Sequence, residues 1–274
     1  MSELIVPHRF CGPARSGNGG WTAGELAAHV EHGCPEDRSE AWPPIRVRLR
    51  MPPPLDQVLT VVEEADAGAG GVLVTRLLDP AGALVADAVL VDEAEPDHAL
   101  VAVAPVAPEV ARAAETAYEG LTDHPFPRCF TCGPDREPGD GLRIFPGPVA
   151  GGDDPAQGPG RRVAATWTPH PSLAEDWHAY VDGAQRTGLA ATWAALDCPG
   201  AWGAGMEGRS MVLGTMTARV DALPVVGEEH VVVGEGRRTE GRRTWTASTL
   251  YDPDGRVVAV AEHVWVTVDP EVFA

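Results

Sequence analysis

Short apolar runs separated by turn residues fill most of the chain, and the clearest such pattern occurs twice. LDPAGALVAD at 78–87 returns as YDPDGRVVAV at 251–260, an offset of 173 residues. In each copy an Asp-Pro-x-Gly turn divides two runs rich in Val, Leu, Ala and Thr, at 71–78 and 84–91 in the first and at 244–251 and 256–268 in the second. Proline fixes one backbone angle of a tight turn and glycine tolerates the other, so both copies predict a β-hairpin. Upstream the match loosens but continues. Residues 45–51, the prolines at 52–54 and residues 57–63 align with 214–220, Pro224 and 230–233. Each half therefore predicts about four antiparallel strands in a row, preceded by one helix-like stretch, at 21–30 and at 188–196.

Between the halves, PEVARAAETAYE at 108–119 has Pro at a first helical position and Gly120 as a stop, which predicts a linker helix. GPVAGGDDPAQGPG at 147–160 predicts an exposed loop without chemistry. The 274 residues include 31 Gly and 26 Pro, which favours many short elements over a helical bundle. Against 21 basic residues stand 40 acidic ones, and the net charge of −19 argues against a nucleic-acid or anionic-membrane binder. All the basic residues are Arg and Asn18 is the only Asn, a skew in which Arg usage by itself carries no signal. No uncharged apolar run approaches membrane-spanning length, the start has neither a basic region nor an apolar core for export, and five Cys are too few and odd for a disulfide framework. The expectation is a cytoplasmic protein with free thiols.

One helix with an antiparallel meander, present twice, resembles a double hotdog protein, an α+β fold with two copies of a central helix wrapped by a curved antiparallel β-sheet. Within the second half CFTCGPDR at 129–136, GDGLRIF at 139–145 and VAATWTP at 163–169 resemble the opening of hotdog thioesterases related to the phenylacetate-pathway acyl-CoA thioesterases. WAALD at 193–197 resembles the helix segment that ends in their catalytic carboxylate. The resemblance covers about 125–268 and, more weakly, 10–91. It implies an N-terminal hotdog at 1–105, a linker helix at 106–120 and a C-terminal hotdog at 121–274. It further implies water attack on an acyl-CoA thioester held at a helix N-terminus, no resident cofactor or metal, and a homodimer of double hotdogs.

Each half departs from the family pattern. Many hotdog thioesterases carry His-Gly-Gly or Asn-x-x-Gly-Gly before the helix, and the second half reads VDGAQRTG at 181–188 instead. The first half has SGNGGW at 16–21, yet Ala27 stands near where the acid would fall. One site shared between the halves resolves this, with Asn18, Gly19 and Gly20 supplying polar groups at a helix start and Asp197 supplying the carboxylate. Asn18 is also an ordinary N-cap residue, and Asp197, at a predicted helix end before Pro199, is also an ordinary turn former. Glu25 is a second candidate acid, and His178, Asp182 and Gln185 are weaker ones.

Coenzyme A carries phosphates, and the densest basic cluster is Arg237, Arg238, Arg242 and Arg243 around a predicted turn, with Arg161 and Arg162 a second choice. Cys129-x-x-Cys132 is half of a zinc site by spacing. Cys11, His8 and His124 could complete it, but buried thiols matching the family's metal-free pattern are the preferred reading. Two other functions stay open: a catalytically silent acyl or small-ligand binding module, and a dehydratase or hydratase using Glu25 and His29 on one helix face.

Overall fold

A computed structural model describes residues 1–32, 41–66, 72–92, 99–150, 161–175, 183–206 and 209–269. Both hairpins form where the Asp-Pro-x-Gly turns place them. β4 (Val72–Leu78) pairs with β5 (Leu84–Leu90), and β12 (Arg243–Tyr251) pairs with β13 (Val257–Thr267). Gly82 and Gly255 sit at φ +82° and +77°, which requires glycine in both turns. The strands before them are β2 (Trp42–Leu49) and β3 (Val58–Asp66) in the first half, β10 (Met211–Val220) and β11 (His230–Glu240) in the second. Two more, β1 (Ser2–Ile5) and β7 (Arg162–Trp167), add a fifth strand to each half, and β6 (Gly147–Val149) extends the second edge.

All eleven lie in one antiparallel sheet of order β1-β3-β4-β5-β2-β10-β13-β12-β11-β7-β6. The order is the same read outward in both directions from the β2–β10 seam, where Thr217 faces Arg46. Each strand of one half thus has its repeat partner at the same distance from the centre. A separate small hairpin pairs β8 (Ala174–Glu175) with β9 (Arg186–Thr187). Residues 151–160, most of the expected loop, lie outside the described residues, while 147–149 form β6 rather than loop.

Among the described residues, two helices pack into the apolar core, one before and one after the 108–119 segment. α1 (Gly19–Ala27) starts two residues before the expected stretch and ends three before it. The segment at 108–119 forms α2 (Pro108–Ala114) and then two 3₁₀ turns, so the linker is helical over only part of its expected length. It also packs on β7, where the Glu115 carboxylate accepts from the Thr166 N–H at 2.7 Å.

α3 (Leu189–Gly203) corrects the sequence reading most. It continues past Leu196 and through Pro199, so Asp197 stands inside the helix and not at its end. A mid-helix proline costs about 3 kcal/mol in isolation. Here all fifteen residues are buried, and packing on every side outweighs that penalty. Glycines let the helix lie directly on the sheet: a Cβ at Gly234 would sit 2.2 Å from the Pro199 carbonyl oxygen, and one at Gly236 2.6 Å from that of Gly203. The two helices approach just as closely. Gly20 and Gly24 share a face of α1, and Cβ atoms there would lie 2.6 Å from Asp197 Cβ and from Ala190 Cα.

Candidate active site

The close crossing of α1 and α3 sets the N-terminus of one helix against the middle of the other. Asn18 is the N-cap of α1, and its side-chain oxygen accepts from the Trp21 N–H at 2.8 Å. Its amide nitrogen donates to Asp197 Oδ2 at 3.0 Å, and the Gly20 N–H donates to the same oxygen at 3.1 Å. Asparagine suits this position because it must accept on one side and donate on the other, which neither Asp nor Ser does with this reach. Asn18 and Asp197 are both buried, and Asp197 Oδ1 has no hydrogen-bond partner among the described residues. Burial raises the Asp197 carboxyl to about 7, helped by Cys129 and opposed by the bonds from Gly20 and Asn18.

Asp197 and Asn18 border a cavity of about 250 Å³. Its apolar wall includes Leu49, Met206, Met211 and Trp265, and another wall carries Cys129, Cys132, Cys198 and His124. Gly19 also borders it, and the Gly19 N–H, first of α1, meets no acceptor among the described residues. That amide sits where the helix dipole favours negative charge. The Gly20 N–H, by contrast, is engaged by Asp197, so of the two glycine amides only that of Gly19 is open to a ligand.

The loop over this region is held by buried polar contacts. Arg136 is 3% exposed; its guanidinium donates to the Arg128 carbonyl at 2.7 Å, to Asp140 at 2.9 Å and to Cys11 Sγ at 3.0 Å. Thr131 donates to the Ala194 carbonyl at 2.9 Å and fixes the loop to α3. Phe10 stacks on Trp21 with centroids 4.2 Å apart and meets Phe130 edge-on at 4.9 Å, joining the N-terminal arm, α1 and the loop.

The other expected residues fall elsewhere. Arg237, Arg238, Arg242 and Arg243 do flank the β11–β12 turn, with Gly241 at φ +57°, but none borders the cavity. Arg237 pairs with Glu262 at 2.6 Å, Arg238 pairs with Glu240 at 3.0 Å and lies over Trp245, and Arg242 donates to the Thr267 carbonyl. Arg161 pairs with Glu119. The arginine that borders the cavity is Arg50, bonded to Asp87; it belongs to the alternating series Arg46, Arg48, Arg50, which reads in the sequence as the polar face of a strand. His178 and Asp182 lie outside the described residues, and Gln185 only accepts the Val226 N–H through its backbone. His8 and Cys11 are not gathered with Cys129 and Cys132; the third cysteine beside them is Cys198. Its position next to Asp197 was the available signal.

Glu25 and His29 border no cavity described here, and His29 Nδ1 is 3.2 Å from Ser2 Oγ. Burial and the nearby Glu175 raise the Glu25 carboxyl to about 7. A carboxyl raised on folding is penalised when charged, so wild-type stability falls as pH rises from the unfolded value of 4.5 through 7. Glu25→Gln is accordingly expected to be more stable than wild type by about 2 kcal/mol at pH 8, with the gap closing by pH 4.5. Thermal melts across that range check it; a pH-independent difference would contradict it.

No family model matches the chain, and no curated protein sequence does. Solved structures match it over nearly its full length. A conserved protein of unknown function with hot dog fold from Alicyclobacillus acidocaldarius is 14% identical, covers 98% of this chain and 93% of its own, and superposes with a TM-score of 0.53. The chain has the hotdog fold. The tesB protein of Mycobacterium avium subs paratuberculosis is 14% identical, covering 97% of this chain and 91% of its own at a TM-score of 0.54. Acyl-CoA thioesterase II TesB2 of Mycobacterium marinum is 12% identical, with coverages of 92% and 90% and a TM-score of 0.53. Each of these three neighbours is matched along nine-tenths or more of its own length, so the likeness extends over nearly the whole chain. No helix among the described residues is long and apolar enough to cross a membrane.

Proposed function

We propose that the protein hydrolyses acyl-CoA-type thioesters in the cavity between α1 and α3. The observation that carries this is the buried Asp197 carboxylate, with one oxygen fixed by Asn18 and Gly20 and the other unpartnered beside an apolar cavity. Such a group is oriented in advance and has one open acceptor for the proton of an attacking water. In this reading the acyl chain lies among Met206, Met211, Leu213 and Trp265, and the thioester oxygen meets the Gly19 N–H. Water adds to the carbonyl carbon and gives its proton to Asp197 Oδ1. The tetrahedral intermediate then expels the thiolate, which takes up that proton, leaving a carboxylic acid and a thiol.

The same reading treats the chain as two hotdog units, 1–105 and 121–274, each a central helix wrapped by its half of the sheet. The palindromic strand order and one helix per half support it. It also takes two chains to associate as a homodimer. Likeness to acyl-CoA thioesterase II TesB2 of Mycobacterium marinum supports the substrate class. The hairpin arginines play no part in it, since none of them borders the cavity.

One observation favours the second reading, a silent acyl-binding module: the Gly20 N–H points to Asp197 instead of the cavity and leaves a single helix-end amide for the carbonyl oxygen. Thiol release from a panel of short, long and aromatic acyl-CoAs separates the two. Turnover of at least one ester supports hydrolysis, and binding without turnover across the panel establishes the silent module.

A further inference from the structure

Three thiols from two distant parts of the chain converge at the cavity. Cys129 and Cys132 come from the loop before Gly133, and Cys198 from the middle of α3. Their sulfurs all lie within 4.8 Å of one another, with Cys129 Sγ and Cys198 Sγ 3.7 Å apart. Tetrahedral zinc with sulfur bonds of about 2.3 Å holds its sulfurs about 3.8 Å apart. The Cys129–Cys198 separation has that value, and small side-chain rotations bring the remaining sulfurs, all within 4.8 Å, to it. Packing alone asks for no such convergence, because a buried thiol behaves as a small apolar group that is satisfied by any neighbour.

The backbone around these sulfurs is fixed before any ion arrives. The Gly133 N–H donates to the Cys129 carbonyl at 2.9 Å, and Tyr118 Oη donates to the Cys132 carbonyl at 3.1 Å. A Cβ at Gly133 would lie 2.5 Å from the Pro127 oxygen, so the turn that presents both sulfurs requires glycine. With Thr131 bonded to α3, the Cys-x-x-Cys turn and Cys198 form one unit.

We propose that Cys129, Cys132 and Cys198 bind one thiophilic divalent cation, zinc by preference, through three thiolates, with the fourth corner open to the cavity. Each thiol gives its proton to solvent as its bond to the metal forms, and the site carries a net charge of about −1. His124 is a positioning residue in this arrangement. Its Nδ1 accepts the Phe126 N–H at 2.9 Å, which leaves the ring proton on Nε2, and Nε2 faces Cys132 Sγ at 3.3 Å. A protonated Nε2 donates to a thiolate and does not ligate metal. All four residues border the cavity, so a ligand there reaches the open corner. The site does not depend on the thioesterase reading, since a silent binding module would hold the ion equally well.

The test uses the full chain, purified without chelators or nickel resin, and counts metal by mass spectrometry. About one zinc per chain is expected, and replacing it with Co²⁺ should give a thiolate-to-cobalt charge-transfer band. Cys198→Ser is expected to weaken Co²⁺ binding at least tenfold; Cys129→Ser is the second variant should the first not fold. His124→Gln is expected to keep one equivalent of metal. A chain that purifies metal-free and shows no charge-transfer band on Co²⁺ titration overturns the proposal, as does unchanged binding in a folded Cys198→Ser protein. Loss of metal in His124→Gln overturns the open corner and makes the histidine the fourth ligand. Hydrolysis rates are not read in this experiment, so its failure and that of the thioesterase reading are told apart.

Discussion

Asp197→Asn is expected to lower kcat for acyl-CoA hydrolysis about a thousandfold while leaving the melting temperature nearly unchanged. The asparagine oxygen can occupy the Oδ2 position and keep both bonds, from Asn18 and from the Gly20 N–H, at 3.0 and 3.1 Å. Its amide nitrogen then takes the position of Oδ1, which has no hydrogen-bond partner among the described residues. The substitution thus removes only the open acceptor, and loss of a positioned base costs about 10²- to 10⁴-fold. Steady-state kinetics beside a thermal melt checks both parts. An unaltered kcat would remove Asp197 from the chemistry, and a large fall in melting temperature would make it a structural carboxylate.

Asn18→Asp is expected to produce the largest loss of stability of any single isosteric change near the site, about 3 kcal/mol. The new side chain can still cap α1 through the Trp21 N–H. What it loses is the donor to Asp197 Oδ2, and it sets a second carboxylate at 3.0 Å in a fully buried position. Asn18→Ala removes the cap and the donor without adding charge, and about 1–2 kcal/mol is expected for it. Denaturant unfolding of the two variants decides the matter: Asp must be the more damaging. The reverse order would mean that the Asn18 to Asp197 bond contributes little and that Asn18 is there for its cap alone.

The strands were legible because the turn that joins each hairpin occurs twice with its glycine, and an offset of 173 residues placed the partners in register. β1 was not, since four residues show no usable alternation and its place beside β3 is set by sheet pairing. The end of α3 was misread for a physical reason: Pro199 and Gly200 are stop signals locally, and only the sheet packed against them keeps the helix going. The link between Asn18 and Asp197 was legible because each half of the sequence lacks what the other has, and the structure brings the two side chains into contact. The gathering of Cys198 with Cys129 and Cys132 was not legible, because Cys129 is 69 residues away and nothing local links them. The ion pairs of the hairpin arginines were not legible, because a partner such as Glu262 on β13 comes from a strand that sequence spacing does not connect to the turn.

The most direct measurement is a crystal structure of Asp197→Asn with an acyl-CoA that the variant turns over slowly. The account predicts the acyl chain among Met206, Met211 and Trp265, with the thioester oxygen within hydrogen-bond reach of the Gly19 N–H and its carbonyl carbon beside residue 197. An acyl-CoA bound elsewhere, such as the outer groove at Arg46, Arg237 and Arg238, with the α1–α3 cavity empty, would contradict it.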